Sequence, residues 1–305
     1  MKLRVGTRRS KLALWQTNFV VHLLKLFDPS LEFEIVPITT KGDKILNSPL
    51  SVIGDKGLFT KEIEEALLKG DIDFAVHSLK DLPTTLPEGL TIAAYTLRDT
   101  PFDVLVSKSG KKLKELPSGA VIGTSSLRRK AQIKRLRPDL VVKDIRGNVD
   151  TRLRKLDEGL YDAIVLAQSS LERLNLDSRI TEVLDYFLPA VGQGIMAVET
   201  REDRKELIDL LREAVNDPGS EAEAKAERSF LKTLEGGCQV PMGALAVVEA
   251  DGSLTIRGFI SDLEGEQYIE DTESGHALES EAVGERLAKK LLEKGGREIL
   301  SCLRG

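Results

Sequence analysis

The chain is short of the residues that hold metals or form cross-links. Its 305 residues include two cysteines, Cys238 and Cys302, and three histidines, His22, His77 and His276, with no Cys-x-x-Cys or His-rich pairing. A zinc centre and a disulfide framework are therefore not expected, and each thiol must be judged by its own surroundings. A thiol protease is disfavoured, because no histidine sits in a context that suggests a Cys-His pair. No run approaches the roughly 20 apolar residues needed to span a bilayer. The opening Met1-Lys2-Leu3-Arg4-Val5 leads into an arginine-rich turn without the long apolar stretch and cleavage site of a signal peptide, so the expected location is cytoplasmic.

Extremes of composition are also missing. Hydrophobic residues at 41% and charged residues at 30% are ordinary globular values, which argues against disorder and fibres. The length suits about two domains, with room for a small third. Net charge is -5, unlike the basic domains that bind nucleic acid. The distribution is uneven, however. Residues 128–155 hold eleven Lys or Arg against three Asp, a local +8 that leaves -13 elsewhere.

Periodicity organises the first half as strands alternating with helices. Leu3–Gly6 reads as a strand, and Leu12–Phe27 as a helix with Leu12, Trp15, Phe19, Leu23 and Leu26 on one side. Strand Glu32–Ile38, helix Thr60–Lys69 and strand Phe74–His77 follow. The order restarts with strands Val104–Ser107, Ala120–Gly123, Leu140–Ile145 and Ala163–Leu166. Alternation of this kind predicts βαβ units around mainly parallel sheets. Two lobes are expected, with a weak internal repeat between Gly70–Val76 and Gly159–Val165. Arg98–Phe102 and Asp185–Gly194, both containing Pro, are expected as paired hinges. From Gly243 the pattern changes to alternating strands with turns at Asp251-Gly252 and Glu264-Gly265, then a helix Glu279–Glu293. The expected division is residues 1–97 with 195–215, 102–189, and a small α+β unit 218–305. Lys41–Leu58 is polar, carries three glycines and lacks periodicity, and is expected to be a mobile lid.

Ligands of open α/β sheets bind beyond the carboxyl ends of the strands, and the chemistry-bearing residues fall there. Gly123-Thr124-Ser125-Ser126 ends a strand and opens a helix whose first turn carries Arg128 and Arg129, an arrangement that favours an anion. Alone, it reads equally well as a capped helix with a solvated basic face. Arg146-Gly147-Asn148, Arg152 and Arg8 add guanidiniums at other strand ends, which points to a polycarboxylate or phosphate ligand. Asp81, in Ser78-Leu79-Lys80-Asp81-Leu82-Pro83, is the anionic exception. It either stabilises developing positive charge or is a loop carboxylate paired with a neighbouring cation. His77 reads as a hydrogen-bonded core residue. Cys238 lies in a tight loop, Glu235-Gly236-Gly237-Cys238-Gln239-Val240-Pro241, which suits a covalent anchor. Cys302 reads as an inert buried filler.

At these segments the chain resembles the porphobilinogen deaminase (hydroxymethylbilane synthase) family. Leu234–Pro241 is similar to the family's cofactor-attachment loop and Val76–Pro83 to its catalytic aspartate segment; Ile122–Arg129, Ile145–Leu153, Pro189–Gly194 and Leu12–Gln16 also match. Beyond Gly243 the likeness is in outline only. Two departures stand out: Lys11 replaces a usual Pro, and Gln168-Ser169-Ser170 replaces a more apolar turn, with Ser170 expected to narrow a wall of the pocket.

The resemblance implies an α/β fold of two periplasmic-binding-protein-like (type II) lobes plus a small α+β C-terminal domain. It implies a transferase of haem and porphyrin biosynthesis that condenses four porphobilinogen molecules into hydroxymethylbilane with loss of ammonia. Its cofactor would be dipyrromethane, joined to Cys238 by a thioether. By the same analogy Asp81 is catalytic, and Lys80, Asp81, Thr124, Ser126, Arg128 and Arg129 hold the cofactor. Arg8, Ser10, Arg146, Arg152 and Arg173 would receive substrate. The expected partner is small-molecule porphobilinogen, with no metal, nucleic acid or membrane, and the chain is expected to be a monomer. A solute-binding module leaves Cys238 unexplained. A nucleic-acid binder conflicts with the acidic whole and with the lack of interleaved aromatics.

Overall fold

The computed structural model describes residues 2–44, 57–234 and 240–304. Its first sheet joins β1 (Lys2–Arg8), β2 (Glu32–Ile38), β3 (Phe74–Ser78), β4 (Leu90–Tyr95) and β10 (Met196–Arg201) in the order β2-β1-β3-β10-β4. The second joins β5 (Asp103–Ser107), β6 (Val121–Gly123), β7 (Val141–Lys143), β8 (Ala163–Ala167) and β9 (Glu182–Leu184) in the order β7-β6-β8-β5-β9. The expected parallel pairings are present: β1 with β2 and β3, and β6 with β7 and β8. Each sheet also holds an antiparallel member, β10 in the first and β5 in the second. In both cases it is a strand formed after the chain has crossed from the other sheet, so the lobes exchange strands. This is the two-lobed α/β arrangement expected from the resemblance.

Burial follows position in the sheet. Central β8, Ala-Ile-Val-Leu-Ala, is buried at every residue, as a strand covered on both faces must be. Edge strand β2 alternates between exposed and half-buried and tolerates Pro37, which has no N–H to offer a neighbour. Helix α1 (Lys11–Phe27) has the expected span, but its buried face differs from the predicted stripe. Ala13, Gln16, Thr17, Val20, Val21 and Leu24 face the sheet, and Leu26 is 68% exposed. Small and β-branched side chains allow the close approach to the strands. Trp15 and Phe19 instead stack on each other at the margin of the core, with ring centroids 5.3 Å apart.

Helix α2 (Lys61–Lys69) covers the first sheet, and α3 (Leu127–Leu136), α4 (Val149–Asp157) and the short α5 (Gln168–Glu172) flank the second. After β10 come α6 (Lys205–Val215) and α7 (Pro218–Thr233), the latter opened by Asp217, whose side chain accepts from Ser220 N at 2.7 Å. The C-terminal meander is β11 (Met242–Val248), β12 (Ser253–Ser261) and β13 (Tyr268–His276), packed on α7 and α8 (Ser280–Leu291). In the last helix, Arg297–Arg304, Ile299 and Leu300 enter the core. Cys302 therefore falls on the outer face and is exposed, contrary to the buried filler expected.

The two crossing segments run side by side, and Asp99 N donates to Gly194 O at 3.1 Å. Gly194 has φ +93°, and a Cβ there would lie 2.5 Å from Asp99 O, so both its conformation and the close approach demand glycine. Arg98, from the same segment, pairs with Glu223 (3.1 Å) and Glu227 (2.8 Å) of α7, tying the crossing to the C-terminal unit.

Candidate active site

On the first-lobe side, the carboxyl ends of β1 and β3 open into a pocket lined by Arg8, Ser10, Gln16, Phe59, His77, Ser78 and Asp81, among others. Ser10 caps α1, accepting from Ala13 N at 3.2 Å, and Gln16 Nε2 donates to Ser78 Oγ at 2.8 Å. Arg8 Nε donates to Asp43 Oδ1 at 3.2 Å while its guanidinium lies 4.3 Å from the Phe59 ring centroid. Asp81 ends a one-turn helix after β3; it is exposed and makes no ion pair with another described residue.

The second lobe supplies the cations. Ser126 caps α3, accepting weakly from Arg129 N at 3.4 Å, and Thr124 Oγ1 accepts from Ser126 N at 3.2 Å. The geometry places Arg128 and Arg129 around a carboxylate that sequence reasoning missed. Asp103, fully buried at the start of β5, accepts from Arg128 Nη1 and Arg129 Nη2, both at 2.7 Å. Gln193 Nε2 adds a third donor at 3.0 Å, and Gln193 Oε1 accepts from Lys80 Nζ at 3.3 Å. Burial opposes ionisation of Asp103, but the two guanidiniums override it and hold the carboxyl far below its ordinary range. Arg128 also donates to Leu188 O and Arg129 to Val165 O. Arg129 Nε is buried without a partner among the described residues.

Around this cluster the remaining cations are crowded. Desolvation, and then the neighbouring Arg129 and Arg128, lower Lys80 to about 8, against a raising effect of Asp81 and Asp103. Arg152 is lowered to about 10 by desolvation, then by Arg129 and Arg146; its Nε donates to Gly147 O at 2.8 Å. Desolvation also lowers Arg146. Arg173 sits at the junction, donating from Nε to Asp99 (2.9 Å) and from Nη2 to Gly194 O (2.8 Å), with its guanidinium 5.8 Å from the Trp15 ring. The structure thus brings Lys80, Asp81, Arg128, Arg129, Arg146 and Arg152 into one electrostatic neighbourhood. Arg8 and Ser10 join Asp81 in the first-lobe pocket, and Arg173 lies beside the crossing. Ser170, expected at a pocket wall, is buried within α5. Cys238 and residues 45–56 of the expected lid lie outside the described residues.

The rest of the basic stretch serves the fold. Arg137 is bonded to Asp139 and the carbonyls of Leu113, Lys114 and Leu116; Lys134 holds Pro138 O and Leu140 O. Lys130 pairs with Glu264, and Arg135 lies over Tyr268, so α3 also seats the C-terminal meander.

These residues suit a dipyrromethane. Two linked pyrroles carry four carboxylates, and Lys80, Arg128, Arg129, Arg146 and Arg152 outnumber Asp81, Asp103 and, beside Arg146, Asp144. The buried, unpartnered Arg129 Nε and the desolvated Lys80 and Arg152 are the groups that an incoming carboxylate would stabilise. Among the described residues no cluster could hold a metal ion, and no helix is long and apolar enough to cross a membrane.

Comparison with known proteins agrees with this chemistry. Residues 3–209 match the family description "Porphobilinogen deaminase, dipyromethane cofactor binding domain", and residues 222–293 match "Porphobilinogen deaminase, C-terminal domain". A porphobilinogen deaminase of Pelotomaculum thermopropionicum is 52% identical over 301 residues, covering 98% of this chain and 96% of the relative. One of Brevibacillus brevis is 50% identical over 302 residues, covering 98% and 97%. Among solved structures, the methionine-binding protein MetQ is similar with TM-score 0.44 and 18% identity, over 70% of this chain and 89% of that one. With identity of about half over nearly the full length of both chains, and with both family regions in order, the chain belongs to the porphobilinogen deaminase family.

Proposed function

We propose that this chain builds hydroxymethylbilane from four porphobilinogen molecules, one ammonia lost at each addition, in the cleft where Asp81 faces the cations of the second lobe. The observation that carries the reading is that Lys80 and Arg152 both face Asp81 with Arg129 beside them, cations in excess around one exposed carboxylate. Lys80, Arg128, Arg129, Thr124 and Ser126 hold the carboxylates of a dipyrromethane joined to Cys238 by a thioether. When bound, that group supplies the nucleophilic pyrrole carbon at which chain growth starts. Arg8, Ser10, Arg146, Arg152 and Arg173 receive the acetate and propionate of incoming substrate. Each charge-assisted bond of this kind contributes about 1.5–3 kcal/mol, enough in combination to retain intermediates.

Asp81 acts differently from the arginines. Loss of ammonia leaves positive charge on the substrate methylene and ring nitrogen, and an exposed carboxylate at the pocket mouth interacts more strongly as that charge grows. Only such differential stabilisation raises turnover. The chain is read as a cytoplasmic monomer with units at 1–97 plus 195–215, 102–189 and 218–305.

The test is the intact mass of the purified protein. Wild type should exceed its sequence mass by one dipyrromethane, and Cys238→Ser should not. An unmodified, fully active wild type would refute the anchoring role.

A further inference from the structure

Beneath the pocket that holds Asp81 lies a buried cluster that the reading above does not use. His77 of β3, 6% exposed, places Nε2 3.0 Å from Oε2 of Glu199 on β10, which is fully buried. Glu64 of α2, also 6% exposed, completes the group. His77 Nε2, both carboxylate oxygens of Glu199 and Glu64 Oε1 are buried without a hydrogen-bond partner among the described residues, so His77 and Glu199 meet as a close ion pair and not through an aligned hydrogen bond. Burial, and then the charge of Glu199, raises the Glu64 carboxyl, with His77 opposing. Two carboxylates around one imidazole in an apolar floor cannot all be charged at low cost, so a proton must be shared among them. His77 also lines the pocket, four residues before Asp81 and facing the same space.

We propose that His77, oriented by Glu199 and backed by Glu64, is the group that takes up the proton liberated in each condensation. The inference rests on the assignment of the reaction to the Asp81 pocket. The balance is closed without a further reactant. The substrate's C–N bond breaks and ammonia leaves with the electron pair; the methylene carbon bonds to the α-carbon of the acceptor pyrrole of the growing chain. The C–H bond of that α-carbon then breaks, its pair remaining in the ring, and neutral imidazole takes the proton before passing it to ammonia. A histidine that lines the reaction pocket and lies 3.0 Å from a buried carboxylate is placed as a general base would be. The charged groups around it are Glu199 from β10, Glu64 from α2, Arg8 from β1, Asp81 across the pocket, and Arg228 of α7 acting on Glu199.

The chain has three histidines, so 15N-histidine NMR of the cofactor-loaded protein resolves His77 directly once His22→Gln and His276→Gln assign the others. Glu199→Gln removes the carboxylate 3.0 Å from the imidazole, so the His77 resonances and the acid limb of the kcat–pH profile, where the base is lost to protonation, should be displaced together. Glu64→Gln should move both in the same direction by less. His77→Gln should lower kcat by about 10²-fold and remove that limb, with KM changed by less than about threefold. A limb that stays fixed while the NMR titration moves would assign the cluster to structure and overturn the proposal, as would a folded His77→Gln with a normal profile. Should His77→Gln not fold, the joint displacement in the two carboxylate variants decides. Asp81→Asn separates the two readings. Full activity there sinks the pocket assignment itself, whereas lost activity with an unchanged His77 titration leaves only the histidine claim to be judged.

Discussion

Asp103→Asn is the most discriminating substitution outside the reacting groups. Asparagine keeps the shape and one acceptor oxygen but removes the one buried charge that, among the described residues, is bonded to Arg128 and Arg129, whose side chains are 6% and 9% exposed. Removing one partner of a buried ion pair costs about 3–5 kcal/mol, because the remaining charge is stranded. Here two guanidiniums are stranded, but each retains a carbonyl, Leu188 O or Val165 O, which places the cost near the middle of that range. At about 2–4 °C per kcal/mol this is a fall in Tm of roughly 10 °C. Cofactor carboxylates beside the same arginines would replace part of the lost charge. Scanning calorimetry should therefore show a larger fall in the cofactor-free Cys238→Ser background than in the loaded enzyme. The pH sign follows from the depressed Asp103 carboxyl. Its stabilisation is complete above the ordinary carboxylate range near pH 4 and is lost as pH falls below it, so the variant should show a shallower acid limb of stability. A Tm loss under about 2 °C, or equal losses in the two backgrounds, would refute the reasoning.

Three other outcomes are expected. Asp81→Asn should lower turnover by about 10²–10³-fold with the cofactor mass retained; near-normal kinetics would return Asp81 to a loop role. Arg146→Leu should leave the unfolding temperature nearly unchanged but accumulate enzyme-bound intermediates of one length, seen by mass spectrometry; a normal ladder of intermediates would contradict its part in receiving substrate. Lys11 Nζ meets Asp150 Oδ2 at 2.8 Å, joining α1 of one lobe to α4 of the other through two exposed side chains. Such a pair is worth about 0–1 kcal/mol, and proline is well placed at the first helical position, so Lys11→Pro should change stability by no more than this and weaken its salt dependence. A loss above about 3 kcal/mol would show that the bridge does more than a surface pair can.

Most elements were legible because local pattern determined them. Glu32–Ile38 was predicted to the residue, and the βα alternation foretold the parallel pairings. The α1 face was misread because large apolar residues drew the stripe, whereas packing on a sheet selected the small and β-branched residues beside them. Cys302 was misplaced for a related reason: in a short helix, the phase of burial is fixed by Ile299 and Leu300, not by the character of the cysteine. The positions of β5 between the later strands β8 and β9, and of β10 between the earlier strands β3 and β4, depend on the double crossing of the chain, and no local periodicity encodes that order.

The cationic residues of the site were visible in the sequence as a charge excess, but their division of labour was not. Of the eleven basic residues between 128 and 155, Arg128, Arg129, Arg146 and Arg152 enter the cluster around Lys80, whereas Lys134 and Arg137 bind backbone carbonyls and Lys130 seats the C-terminal meander. Which is which depends on the helix face presented and on acidic residues remote in sequence. Asp103 and Glu199 were missed because each is one carboxylate inside an apolar strand, where composition reads only the strand. Yet Asp103 sets how much of the charge of Arg128 and Arg129 is neutralised within the protein. A site meant for a chain that gains two carboxylates at every addition cannot be neutral when empty, since full pairing within the protein would leave nothing to attract the next unit. Asp103 fixes the positions of Arg128 and Arg129 without covering Arg129 Nε, and Lys80 and Arg152 are left desolvated, at about 8 and about 10. On the proposed assignment of these residues to the growing chain, the incomplete neutralisation would supply the binding force and should weaken with each carboxylate that arrives, which would give the cleft a physical reason to release its product after a fixed number of additions.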